Sequence, residues 1–283
     1  MRQNEEKLSL FCRFFEIKGS VNLILVIDIG NTNSVLGVYD GEELIARWRM
    51  TTTNTRTADE TGQFIHSLFD YSEVSADSVT DVIISSVVPD IMYSIIQGIK
   101  RYFNIKPMIV NPNMETGIKL NMDNPREMGS DRIVNLVAAN EIYKGPVMVI
   151  DYSTATTFDV LDKNGEFITG ITAPGIQVCA DALYERAAQL PKIAIKKPKT
   201  VMVKNTVGSI QAGLVFGHIG ETVYIIEKIK KELNMQDLKV IATGGLARVI
   251  DPEGTIFDVL DPYLTLKGLR ILYEKNAKDK SEF

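Results

Sequence analysis

The feature that most constrains this chain is a motif that occurs twice. Val26-Ile27-Asp28-Ile29-Gly30-Asn31-Thr32 and Val149-Ile150-Asp151-Tyr152-Ser153-Thr154-Ala155 are each a strand-like run ending in aspartate. In both, a small polar turn and a second strand follow. Each second strand leads into an acidic, glycine-bearing hairpin, Asp40-Gly41-Glu42 in one half and Asp162 to Glu166 in the other. The two aspartates stand 123 residues apart, about one domain. Repetition on that scale predicts duplicated α/β domains facing each other. A strand, an aspartate and a turn also coincide by chance in α/β proteins, so the surrounding chain must support the repeat. Its 283 residues suffice for two cores.

The surrounding periodicities are those of an α/β chain. Short β-branched runs at Leu23 to Asp28, Ser34 to Tyr39, Leu44 to Met50, Asp81 to Val88 and Met108 to Val110 read as strands. Helices are predicted from about Thr57 to Tyr71, from beyond Pro89 to Phe103, and from Asp131 through Tyr143. Thr57 and Glu60 have capping-box spacing. In the second half, strands are predicted at Val147 to Asp151, Glu166 to Thr172 and Val240 to Thr243. A turn at Ala173-Pro174-Gly175 precedes a helix to about Leu190. A long helix starting near Ser209 is apolar on more than one face, which predicts burial on two sides, in a core or at a subunit interface. The expected organisation is an extension over 1–22, domains over 23–140 and 141–275, and a frayed charged tail over 276–283.

Composition excludes several function classes. The formal charge is −5 and no basic cluster is interleaved with aromatics, against duplex nucleic acid as a partner. Two distant cysteines, Cys12 and Cys179, make no disulfide framework and fit a reducing cytoplasm. His66 and His218 are the only histidines, too few for a zinc cluster. No apolar run approaches the roughly 20 residues of a membrane span. Leu8 to Phe15 is apolar but short and broken by Arg13, and does not read as a signal peptide. There is no Walker A motif, protein-kinase motif set, nucleophile elbow or nicotinamide fingerprint.

Four segments carry candidate chemistry. In Asp28 to Asn33, Gly30 allows close approach to a ligand, and Asn31, Thr32 and Asn33 can donate to phosphate oxygens. Asp28 can hold Mg²⁺ or its waters. The hydroxyl-rich turn Asp151 to Thr157 would grip the same phosphates from the other side. Gly129-Ser130-Asp131-Arg132 opens a helix, where anions are favoured. There Arg132 can clamp a carboxylate, and Asp131 can accept a hydroxyl proton. Equally, Ser130 or Asp131 is an N-cap and Arg132 a surface ion pair. Ala242-Thr243-Gly244-Gly245 suits adenosine lying on backbone, or is simply a tight turn.

Together these segments resemble the type III pantothenate kinases, over about Leu23 to Tyr273. The motifs are Asp28 to Asn33, Asp123 to Arg132, Asp151 to Thr157, Gly170 to Gly175, Asn205-Thr206 with Ser209-Ile210-Gln211, and Thr243-Gly244-Gly245. The resemblance implies two duplicated ribonuclease-H-like domains of the actin-like ATPase class with a nucleotide cleft between them. It implies phosphorylation of pantothenate by ATP with Mg²⁺ in a cytoplasmic homodimer, the first step of coenzyme A synthesis. Asp131 would be the general base. Asp28, Ile29, Gly30, Asn31, Thr32, Asn33, Ser34, Val35 and Thr154 would hold ATP. Gly129, Ser130, Asp131, Arg132, Met122 and Thr206 would hold pantothenate, Thr206 across the dimer. Asp151 would bind a monovalent cation, K⁺ or NH₄⁺. Three positions depart from the family pattern: Ser153 replaces glycine, Met122 a frequent tyrosine and Ser130 the usual alanine. The first two keep a non-catalytic binding or regulatory relative as a competing reading. A different hydroxyl acceptor is a third.

Overall fold

The computed structural model describes residues 22–277. The predicted extension, apart from its last residue, and the tail beyond Ala277 lie outside these residues. The first sheet has strand order β3-β2-β1-β4-β5, with β1 Leu23–Ile29, β2 Asn33–Asp40, β3 Glu43–Thr51, β4 Val79–Ser86 and β5 Met108–Ile109. The second has order β10-β9-β6-β7-β8, with β6 Val147–Tyr152, β7 Ala155–Leu161, β8 Phe167–Pro174, β9 Lys239–Thr243 and β10 Val259–Leu260.

The two sheets have one topology. In each, the first strand pairs antiparallel with the second, which pairs antiparallel with the third. In each, the first strand also pairs parallel with the fourth, and the fourth with the fifth. The duplication read from two aspartate turns therefore extends over ten strands. β1 and β6 are central in their sheets, which explains their continuous apolar character: both faces are covered.

The helices follow local chemistry. α1 (Ala58–Ser67) starts at Thr57 with a complete capping box to Glu60. It packs on α2 (Met92–Phe103), where Gly62 and Gly98 let the two backbones touch. α3 (Ser130–Tyr143) follows the turn-rich segment, and α4 (Ile176–Arg186) follows β8. α5 (Thr206–Leu233) begins at Asn205, whose side chain accepts a 2.8 Å hydrogen bond from Gly208 N. A short α6 (Ala247–Ile250) and α7 (Leu264–Ala277) complete the order. Among the described residues no helix is long and apolar enough to cross a membrane.

α3 and α7 position the site. α7 packs on α3 and on β1, β2 and β4, although it comes last in the chain. α3 packs on β4 of the first sheet and on β6 and β7 of the second. One continuous core joins them: Val26 and Ile83, then Val134, Leu136 and Val137, then Val149 and Ile241, then Leu269 and Leu272. The expected boundary at 140/141 falls inside α3, so that helix belongs to the junction. Gly268 on α7 lies directly against the Val134 carbonyl, where any side chain would collide.

Four local expectations needed adjustment. β8 runs through Pro174 where a turn was expected. β8 is the edge of its sheet, and an edge strand tolerates a residue without an N–H. α4 stops at Arg186, short of Leu190, and the chain then runs without regular structure past Pro191 and Pro198. α5 starts three residues before Ser209 because Asn205 supplies the cap. Asn276, expected to fray, lies in α7. It accepts from Glu115 N at 2.9 Å and donates to Glu115 O at 3.0 Å.

Candidate active site

Strand register carries Asp28 and Asp151 to equivalent places. Each lies next to the last residue of the first strand of its sheet, beside the turn into the second. Asp151 is buried and Asp28 half-buried with its Oδ1 out of reach of solvent, and loss of solvent first of all pushes both up to about 7. The negative charge of Asp131 adds to the shift in each case. Asp151 also feels Asp28 and Asp159, and a weak 3.3 Å hydrogen bond from Asn135 Nδ2 opposes them. Ser85 opposes the shift at Asp28, where Oδ1 is buried without a hydrogen-bond partner.

Asp131 stands at the second position of α3, after the N-cap Gly129. Its Oδ1 accepts from Arg132 N at 2.8 Å. Burial holds its carboxyl above the usual carboxylate pKa, while the Arg132 amide and charge pull it down. Gly129 leaves room for that carboxylate, because a Cβ there would stand 2.5 Å from Asp131 Oδ1 and push it aside. Ser130 turns inward, donating to Ser86 O at 2.9 Å and accepting from Ser85 Oγ at 3.0 Å. Neither Ser130 nor Asp131 is the N-cap.

Arg132 is neither a surface pair nor an open carboxylate clamp. Its Nε donates to Asp159 Oδ2 at 3.0 Å and its Nη2 donates to Asp159 Oδ1. Asp159 lies on β7 and is 2% exposed. The pair fits because Gly170, opposite Asp159 on β8, has no side chain to occupy that volume. Asp159 was not among the residues singled out above. Its signal was a carboxylate within the apolar run Phe158-Asp159-Val160-Leu161.

The second turn is relaxed. Ser153 lies outside the left-handed region, so its Cβ carries no backbone strain. Its N–H and hydroxyl both donate to Ala155 O, at 3.0 and 3.3 Å. Gly30 N similarly donates to Asn33 O at 3.1 Å in the first turn. Gly244 is the glycine this half needs. Its φ is +92°, and a Cβ would stand 2.5 Å from Asp151 Oδ1.

The structure thus brings Asp28, Asp131, Asp151, Asp159 and Arg132 into one electrostatic neighbourhood. Asn31 and Thr32 are exposed on the first turn and Thr154 on the second, while Ser34 is buried and bonded to Thr52 Oγ1 at 2.9 Å. Ile29 is buried, and Val35 packs against the junction core. Met122 also packs against that core. Thr206 is exposed at the start of α5 and makes no hydrogen bond to the α3 head. Among the described residues, no three His, Cys, Asp or Glu side chains converge as metal ligands. The unpartnered Asp28 Oδ1 nonetheless suits one contact to a cation or its water.

Comparison with known proteins bears on this geometry. A family model described as type III pantothenate kinase matches residues 24–228. A type III pantothenate kinase of Agathobacter rectalis is 52% identical over 256 residues, covering 90% of this chain and 98% of that relative. Among solved structures, a conserved putative Baf family transcriptional activator from Campylobacter jejuni has a TM-score of 0.53 at 17% identity, covering 92% of this chain and 100% of that one. MreB 5 of Spiroplasma citri bound to AMPPNP has a TM-score of 0.51 at 10% identity, covering 92% and 98%. At such identities these two structures show the fold alone.

Proposed function

Because the chain belongs to the type III pantothenate kinase family and so catalyses ATP-dependent phosphorylation of pantothenate, we propose that transfer runs between its two aspartate turns with Asp131 as the base. The supporting observation is the placement of Asp131, a half-buried carboxylate whose charge acts on both Asp28 and Asp151.

Phosphoryl transfer requires alignment and charge neutralisation more than covalent help from the protein. ATP supplies the phosphoryl group, and bound Mg²⁺ would neutralise its oxygens, with Asp28 as the protein contact. Asn31, Thr32 and Thr154 donate to phosphates from the two turns, with Ile29, Gly30, Asn33, Ser34 and Val35 shaping the first. Asp151 would hold a K⁺ or NH₄⁺ ion, which would supply further positive charge beside the phosphates. Pantothenate lies at the α3 head beside Gly129, Ser130 and Arg132, with Met122 lining it and Thr206 reaching it from the partner protomer.

Burial makes Asp131 a stronger base than a free aspartate. It orients the primary hydroxyl and takes the proton late, as the oxygen bonds to phosphorus. Asp159 fixes Arg132, which in turn sets the helix head.

The assembly is a cytoplasmic homodimer. The outward face of α5 supports it: Gly213, Gly217 and Gly220 have open space before them, and Tyr224 is 65% exposed. The relaxed geometry of Ser153 removes one motive for the non-catalytic reading.

The test replaces Asp131 with asparagine. Pantothenate-dependent ADP release should fall about 10²- to 10⁴-fold, with ATP binding retained in calorimetry. Turnover at the wild-type rate would remove Asp131 from the mechanism.

A further inference from the structure

The neighbourhood of the two aspartate turns is short of positive charge. It holds Asp28, Asp131, Asp151 and Asp159, and Arg132 is already bound to Asp159. Phosphates entering such a site need a cation the protein has not otherwise used. We propose that Arg49 is that cation, a nucleotide-binding residue that spans the cleft and contacts the phosphate chain of ATP. This rests on the kinase reading above.

Three observations place it. First, Arg49 pairs with Val35 across β2 and β3, next to the first aspartate turn. Alternation puts Ala46, Trp48 and Met50 into the core behind the sheet, so Arg47 and Arg49 face the other way. Arg47 confirms the direction: its guanidinium lies 4.9 Å from the ring centre of Tyr263, just before α7.

Second, Arg49 reaches the other half of the molecule. A methyl group placed on Gly245 would stand 3.3 Å from Arg49 Nη2. Its neighbour Gly244 is packed against Asp151 Oδ1 and the Tyr152 carbonyl. The guanidinium therefore sits by the glycine turn that supports the second aspartate, while its backbone sits beside the first.

Third, Arg49 is exposed and, among the described residues, has no hydrogen bond or ion pair. Arg101, by contrast, is bonded to Asp59, and Arg270 to Glu274. An arginine over an acidic cleft without a carboxylate partner keeps its donor fork for a ligand, and that fork matches phosphate oxygens.

The experiment measures binding of Mg-ATP and of adenosine to the wild type, Arg49→Ala and Arg49→Lys by calorimetry without pantothenate. Arg49→Ala should weaken ATP about 10- to 100-fold, the range for hydrogen bonds to charged groups. Arg49→Lys should fall between, and adenosine affinity should not change. In turnover, KM for ATP should rise while KM for pantothenate stays within about twofold. Unchanged ATP affinity in Arg49→Ala overturns the proposal. An equal loss for adenosine also overturns it, because the contact would then be to the nucleoside. Failure of the acceptor reading would show separately, as wild-type protein that binds ATP but does not phosphorylate pantothenate.

Discussion

Asp28 and Asp151 occupy matching positions in two sheets of the same topology, and each is held near neutrality in its proton affinity. The fold has placed two acids where their charges oppose each other, and among the described residues neither has a cationic partner. Such a pair is poised to receive external positive charge.

This predicts an unusual pH response. Both groups bind protons more tightly folded than unfolded, so between about pH 4 and 7 the folded state holds the extra protons. Their contribution is present at the acid end and is lost as pH rises through about 7. Without nucleotide or cations, the melting temperature of Asp28→Asn should gain on that of wild type as pH goes from 5 to 8. Parallel curves for the two proteins would contradict the burial argument.

The Arg132–Asp159 pair predicts a different signature. Arg132→Ala leaves Asp159 buried on β7 without its cation. Breaking such a pair costs about 3–5 kcal/mol, and the cost should be greater at pH 8 than at pH 5, where Asp159 can take up a proton. Urea unfolding at both pH values measures this. An equal loss at the two would mean that Asp159 is not held as an anion by Arg132.

Ser153 should be nearly silent. Its backbone needs no glycine and its hydroxyl closes its own turn. Ser153→Gly is expected to change turnover by less than about twofold, since no strain is relieved. Gly244→Ala should abolish activity, because its Cβ would displace Asp151. A large gain from Ser153→Gly would show that the serine obstructs the phosphate.

The α5 face should hold two protomers together. Sedimentation should give a dimer for wild type and a monomer for Gly217→Leu, whose side chain would fill the open space along the helix. A monomeric wild type would defeat the proposed role of Thr206 across the interface.

What the sequence revealed was local. A strand ending in aspartate and a turn is written in consecutive residues, and so is the Thr57–Glu60 capping box. With two such turns recognised, a duplicated pair of α/β domains was implied, but the strand order and the short β10 came only from the structure. Pairings over long distances were not legible. Arg132 displays its fork to the reader, but its partner Asp159 is 27 residues away on another element. Arg49 looks like any strand arginine until Gly245 is seen across from it. α7 drew no prediction because apolar residues and the nearly buried Arg270 share its surface without a clean stripe. Its partners are strands made far earlier.

That last packing has a consequence for biogenesis. While the ribosome is still adding the second half, β1, β2 and β4 exist with the face that α7 will cover still bare. Until α7 arrives, the side of the first sheet that carries Val26 and Ile83 lacks part of its apolar cover. A break in the chain ahead of α7 would leave that face uncovered and sticky, so the first sheet depends on a segment made after the second.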